Sequence, residues 1–256
     1  RITTLTTHTS GAEPNNPLRV LAIDVGAGTQ DMLIYDERRE MENCEKLVLP
    51  SQTQIVARRI EAVTAAGRPL HLAGRLMSGG ASSDAVARHI RAELPVTATA
   101  DAARTIHNRP ERVAAFGVEI RESAPSGAMV VELGDIDLHA LESAMAHFGV
   151  DVPSTVAVAV QDHGYRPDAG NNEVRFEYLQ CLLDDGGHLD RMVFTAPPPG
   201  MTRMAALADA IPGVFMMDTG AAAVLGVRGD PVAREQIDRH GAVIVNIGNM
   251  HTFAAL

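Results

Sequence analysis

Cysteine is nearly absent from the 256 residues: Cys44 and Cys181 stand far apart and form no Cys-x-x-Cys spacing. This excludes a disulfide framework and a cysteine-rich iron–sulfur site built by this chain alone, and it leaves two thiols acting as small hydrophobes. No run of eighteen apolar residues occurs, which excludes a helical membrane span. Basic residues are outnumbered, 22 against 32 acidic ones, for a formal net charge of −10. Non-specific nucleic-acid binding needs clustered Lys and Arg, so nucleic acid is not an expected partner. There is no internal repeat of short period and no low-complexity segment. Residues 1–17 are polar and lack the basic-then-apolar layout of a secretory signal, so they read as a flexible leader and the cytoplasm as the compartment.

What is present is a succession of strand-like and helix-like segments that indicates an α/β fold with a largely parallel sheet. Strands are expected at Arg19–Val25, Asp31–Tyr35, Lys46–Leu49, His71–Gly74, Val96–Thr99, Ala128–Leu133, Thr155–Val160, Met192–Thr195, Val214–Met217 and Ala242–Ile247. Helical spacing marks Ser51–Ala66, Ser83–Glu93, Asp101–His107, Pro110–Phe116, Leu138–Phe148, Met201–Ala210 and Thr219–Leu225. Glu173–Leu183 is ambiguous. The chain starts at Arg1 and stops soon after a Gly turn, which reads as a fragment with material following Leu256.

The first two strands are joined by Gly26-Ala27-Gly28-Thr29, a β-hairpin. A tight Gly-containing turn lets backbone N–H groups approach an anion, and Thr29 adds a hydroxyl donor. Asp24 at the strand end can hold Mg²⁺ through water, because hard divalent cations prefer carboxylate oxygen. Gln30 or Asp31 can orient an attacking water or bind the metal's outer shell. Ala242 to Thr252 repeats the design: an apolar strand, the polar Asn246, Gly248-Asn249-Met250-His251 as the turn, then Thr252. His251 adds a titratable donor. Between them, Gln161-Asp162-His163-Gly164 follows a strand of small β-branched residues, where open α/β sheets place ligands. Asp162 and His163 are candidates for a general-base pair or a metal site, although neighbouring strand residues point to opposite faces. Met77-Ser78-Gly79-Gly80 leads into a helix and is a candidate anion loop. His107, His139 and His147 show no metal-ligand spacing.

Two such hairpins about two hundred residues apart, with Asp218-Thr219-Gly220-Ala221-Ala222-Ala223 before the second, resemble the actin-like ATPase superfamily of sugar kinases, heat-shock chaperones and actin. The resemblance implies a ribonuclease H-like, actin-type fold with a mixed sheet and flanking helices. It implies a first domain over residues 18–225 with insertions and the start of a second over 226–256. It also implies ATP and Mg²⁺ as cofactors: Asp24 at the metal, Gly26, Ala27, Gly28, Thr29 and Gln30 on one side of the phosphates, and Gly248, Asn249, His251 and Thr252 on the other. Asp24, Asp31, Asp162 and His163 are the candidate catalytic residues. More narrowly, Asp24–Asp31, Ala103–His107, Gln161–Gly164, Asp218–Ala223 and Asn246–Thr252 resemble an uncharacterised family labelled pyruvate formate-lyase activating enzymes. A radical activase needs a cysteine triad, which two distant cysteines do not supply.

The second hairpin departs from the superfamily pattern. Asn246 stands where a carboxylate is usual and Met250 where a glycine is usual, which favours binding over hydrolysis. Three functions stay open: a slow ATPase or phosphotransferase, a nucleotide-binding scaffold with a protein partner or a second copy of itself, and a small-molecule enzyme centred on Asp162 and His163.

Overall fold

The computed structural model describes residues 17–169, 173–248 and 252–256. Asn249, Met250 and His251 of the second hairpin, and most of the leader, lie outside the described residues.

Strand β1 (Arg19–Val25) buries Leu21, Ile23 and Val25 and turns Ala22 and Asp24 to the opposite face, the period-two alternation of a strand. It pairs antiparallel with β2 (Thr29–Asp36), setting Asp24 across from Asp31. Antiparallel β3 (Glu45–Pro50) follows on β2. The chain then leaves for a second layer through α1 (Gln52–Ala65), whose Val56, Ile60 and Val63 recur at helical spacing and are buried. Strand β4 (Leu70–Gly74), α2 (Gly80–Arg91), β5 (Val96–Ala98), α3 (Ala100–Ala103), α4 (Pro110–Phe116), β6 (Val118–Ile120) and β7 (Met129–Leu133) complete it. These four strands are all parallel, in the order β6-β5-β4-β7. Their core gathers α1 and α2 through residues such as Val56, Ile60, Leu70, Leu72, Val86 and Val118.

Helix α5 (Leu138–Ala146) returns the chain to β8 (Val156–Val160), which pairs parallel with β1. Helices α6 (Glu173–Asp184) and α7 (Thr202–Ala210) precede β9 (Phe215–Met217), parallel to β8. The second sheet is therefore mixed and runs β3-β2-β1-β8-β9. Its core lies under α5 and α7, where Leu21, Ile34, Val158, Leu141, Met204 and Met216 meet. Helices α8 (Thr219–Gly229) and α9 (Pro231–His240) lead to a separate antiparallel hairpin, β10 (Ile244–Ile247) with β11 (Thr252–Ala255).

The strand and helix alternation predicts a largely parallel sheet, and the resemblance implies a mixed sheet with flanking helices. The molecule has one parallel and one mixed sheet, the latter because β2 and β3 follow connections that reverse the chain. Met192–Thr195 is not a strand. Residues Leu189–Met192 form a 3₁₀ turn and Phe194 makes a single bridge to Met216. The prolines that follow it have no N–H with which to extend a ladder. Glu173–Leu183 resolves as helix, and α9 and β6 were not anticipated. No helix among the described residues is long and apolar enough to cross a membrane.

Candidate functional site

The turn of the first hairpin is held from behind. Gly26 donates its N–H to the Thr29 carbonyl at 3.0 Å. A Cβ at Gly26 would lie 2.8 Å from that oxygen, so only glycine fits. The Ala27 carbonyl accepts from Ser51 Oγ at 2.9 Å and from Gln54 Nε2 at 3.2 Å, and the Gly28 carbonyl accepts from the Ser51 N–H at 3.1 Å. The start of α1 thus draws the turn's carbonyls inward. Among the described residues, the Ala27 and Gly28 amides make no hydrogen bond within the protein. Amides left this way on a tight turn form a cradle for an anion.

Asp24 and Asp31 stand across from each other beside this turn. Directly opposite carboxylates repel. Asp24 is exposed, but it sits at the floor of a cleft whose walls reduce its hydration. That desolvation, together with the neighbouring charge of Asp31, pushes its carboxyl above the ordinary range, while a hydrogen bond from Thr219 pulls the other way. The Thr219 Oγ1 donates to Asp24 Oδ1 at 3.4 Å, and Thr29 Oγ1 donates to Asp31 Oδ2 at 3.1 Å. Among the described residues, hydroxyls serve the pair. No three His, Cys, Asp or Glu side chains among the described residues converge as a metal cluster. Gln30 lies on the opposite face of β2, 3% exposed, with Nε2 on the Pro50 carbonyl at 2.9 Å and Oε1 without a partner. It does not share the face of Asp24.

Thr219 opens α8, and sequence reasoning did not single it out as a contact of Asp24. Asp218 caps this helix by accepting the Gly220 N–H at 2.9 Å, and Arg175 of α6 grips the same carboxylate in a two-pronged pair at 2.8 and 3.0 Å. The second hairpin packs on the same turn: a Cβ at Gly220 would sit 3.0 Å from Phe253 Cγ. Asp24 and the β10–β11 hairpin therefore both meet the first turn of α8. Asn246 pairs with Phe253 and Ile247 with Thr252, placing Thr252 and Gly248 at the turn end of that hairpin.

Asp162 serves a different structure. Its Oδ2 accepts the N–H groups of Arg203 and Met204 at 2.8 and 2.9 Å, and Oδ1 accepts that of Gly164 at 2.8 Å, so it anchors the start of α7. His163 is exposed beside it. Next to this, Arg203 reaches Asp135 with two bonds of 2.6 and 2.7 Å and the Gln161 carbonyl with a third at 2.7 Å. Asp135 in turn accepts the Ser78 N–H at 3.1 Å, tying the Gly79-Gly80 loop of the parallel layer to the mixed layer. No sequence signal marks Asp135 and Arg203 as partners, because 68 residues separate them.

A cleft of about 580 Å³ opens on the face of the mixed sheet away from α5 and α7, with Asp24 and Asp31 on its floor and Leu225 of α8 on its wall. The volume falls within the range of small-molecule sites.

A family model described as "Putative pyruvate format-lyase activating enzyme (DUF1786)" matches residues 77–256. The matched span contains α8 and the second hairpin and begins after the first. Comparison with curated proteins and with solved structures returns no match.

Proposed function

We propose that this chain, which belongs to the DUF1786 family, is a nucleotide-binding protein of the actin-like ATPase type, holding the phosphates of ATP with Mg²⁺ at the first hairpin. One observation carries the reading: a glycine turn whose Ala27 and Gly28 amides make no hydrogen bond among the described residues lies beside the opposed carboxylates of Asp24 and Asp31. Phosphate suits the amides, and a divalent cation suits the carboxylates. The mixed sheet with helices on its faces, and the meeting of both hairpins at α8, support an actin-type arrangement in which residues 18–225 are the first domain and 226–256 begin the second.

The family's description points instead to a radical activase. That chemistry needs a cysteine-held iron–sulfur cluster. Cys44 is buried near the mixed sheet's edge and Cys181 is exposed on α6, so these residues do not fit such a group, and no step is derived through it.

Asp24 and Asp31 would hold Mg²⁺ through its water shell, and the cation would neutralise charge on the phosphate oxygens. The chain's own part is to orient. Ser51 and Gln54 fix the turn, Thr219 fixes Asp24, and the amides of Ala27 and Gly28 receive an anionic oxygen. Asn246 stands where the resemblance calls for a carboxylate, which favours binding, or slow turnover at most, over efficient hydrolysis. A non-catalytic scaffold is the second form of the same reading.

Thermal unfolding with Mg²⁺-ATP tests it. A dissociation constant one hundredth of the ligand concentration would stabilise the fold by about 2.7 kcal/mol. The unfolding temperature should rise, and Asp24→Ala should remove the Mg²⁺-dependent part of the rise. No shift at millimolar Mg²⁺-ATP would end the proposal; a shift without phosphate release would select the scaffold.

A further inference from the structure

The mixed sheet has two faces of equal width and unequal cover. Five strands spaced about 4.8 Å apart span roughly 19 Å, the width of two helices at about 10 Å each. The core face carries two helices, α5 and α7. The opposite face carries α8 over its β8–β9 side, with Ala222 and Leu225 at the cleft, and at β9 Met217 packs against Leu179 and Leu182 of α6 and Leu189 of the 3₁₀ turn. The β1–β3 half stays open among the described residues.

That open half has the surface of a helix seat. Register places two rows across it. Val48, Asp31, Asp24 and Ala159 form one row, and Leu33, Ala22 and Ala157 form the next. The alanines make a shallow floor along β1 and β8 that allows a close approach. Leu33 and Val48 make the apolar rim, and Val48 is 67% exposed. Strand residues that face solvent are ordinarily polar, so an apolar strip of this shape marks an interface. Lys46 in the Leu33 row brings a positive charge to the cleft lining, and its Nζ is drawn to the Met41 carbonyl at 2.6 Å. Asp31 and Asp24 present two negative charges at one end of an apolar strip.

We propose that this strip docks an amphipathic helix of a partner protein, laid beside α8, with an apolar stripe on the alanine floor and a Lys or Arg toward one end that pairs with Asp31. The charge of the carboxylate pair chooses a basic partner and gives the helix its direction. A single helix of about four turns buries less than the roughly 800 Å² per partner of a standard stable interface, so the affinity should be micromolar. The proposal concerns the nucleotide-free protein and does not rest on nucleotide binding; because Asp24 and Asp31 are also the carboxylates assigned above to Mg²⁺, the helix and Mg²⁺ would compete for them.

Selection from a displayed library of randomised helical peptides of about 16 residues, some 24 Å long, against the nucleotide-free protein tests it. The selected peptides should share an apolar stripe with a Lys or Arg near one end and bind with micromolar dissociation constants. Val48→Arg lies on an exposed edge-strand position and leaves the core untouched; it should weaken them tenfold or more. Asp31→Asn should abolish the preference for a basic residue while leaving the apolar stripe in place. Failure to select any peptide, or peptides that bind the Val48→Arg protein equally well, would overturn the proposal. So would sedimentation showing a dimer that Val48→Arg dissociates, since a second copy would then be the occupant. Loss of the Mg²⁺-ATP thermal shift with peptide binding intact would sink the nucleotide reading alone.

Discussion

Asp24 faces Asp31 across an antiparallel pair and loses hydration in the cleft, so its carboxyl binds its proton more tightly folded than unfolded. The unfolded chain releases that proton first as pH rises, and the folded state then carries a charge it disfavours. Asp24 therefore removes stability as pH climbs from the ordinary carboxylate range through its raised value, and the deficit persists at neutral pH. In the absence of divalent cations, Asp24→Asn should raise stability at neutral pH by about 0.5 kcal/mol, the size of a cross-strand like-charge repulsion. Below the carboxylate range the two proteins should converge. Urea melts at neutral and acid pH measure this, and an unchanged difference across that interval would show that the charge pair is not its source. The hairpin around Asp24 was legible in sequence, since a β-branched strand, a Gly turn and a resumed strand are local signals. The role of Thr219 was not, because it comes from a residue 195 positions away.

Among the elements, α8 has the most partners. Its cap Asp218 is held by Arg175, its first residue touches Asp24, and Gly220 receives Phe253 of the second hairpin. A two-stranded hairpin is marginal without such support. Gly220→Leu would place a side chain where the Phe253 ring lies, an overpacking that costs about 1–3 kcal/mol locally. Hydrogen exchange of β10 and β11 should speed up by about tenfold or more while the two sheets keep their protection. Equal protection of β10 and β11 in the variant would mean that the hairpin does not depend on α8. Most helices were legible from their spacing and start signals; Pro110 and the N-cap Asp137 mark α4 and α5 directly. Two ambiguous or missed elements have physical explanations. Helix α6 mixes aromatic and polar residues without a clean stripe and buries only Val174, and α9 buries no residue fully.

At the scale of the molecule, one nearly buried contact ties the two layers. Arg203 of the mixed layer is paired with Asp135, and Asp135 also holds the Ser78 amide of the parallel layer. Arg203→Met would leave the buried Asp135 carboxylate without its charged partner, with only the Ser78 amide on it, a loss of roughly 3–5 kcal/mol. The expected result in urea is a lowered midpoint and two separable transitions, one for each sheet. Pairing the change with Asp135→Leu should recover much of the loss. A single transition at the original midpoint would show that the layers are joined by other contacts.

Local chemistry in the sequence determined the α/β alternation, the two glycine-turn hairpins and the cysteine poverty that leaves an iron–sulfur cluster without ligands here. Such features depend on near neighbours along the chain, and periodicity, turn residues and counts report them. Tertiary structure alone decided that β1 belongs to a mixed sheet while the inserted segment folds as a parallel one. It decided that Asp162 anchors α7, that Asp24 and the second hairpin meet at one helix end, and that half of one sheet face stays open among the described residues. Each of these follows from which strands pair and which helices cover them, and pairing brings together residues that no window of sequence contains.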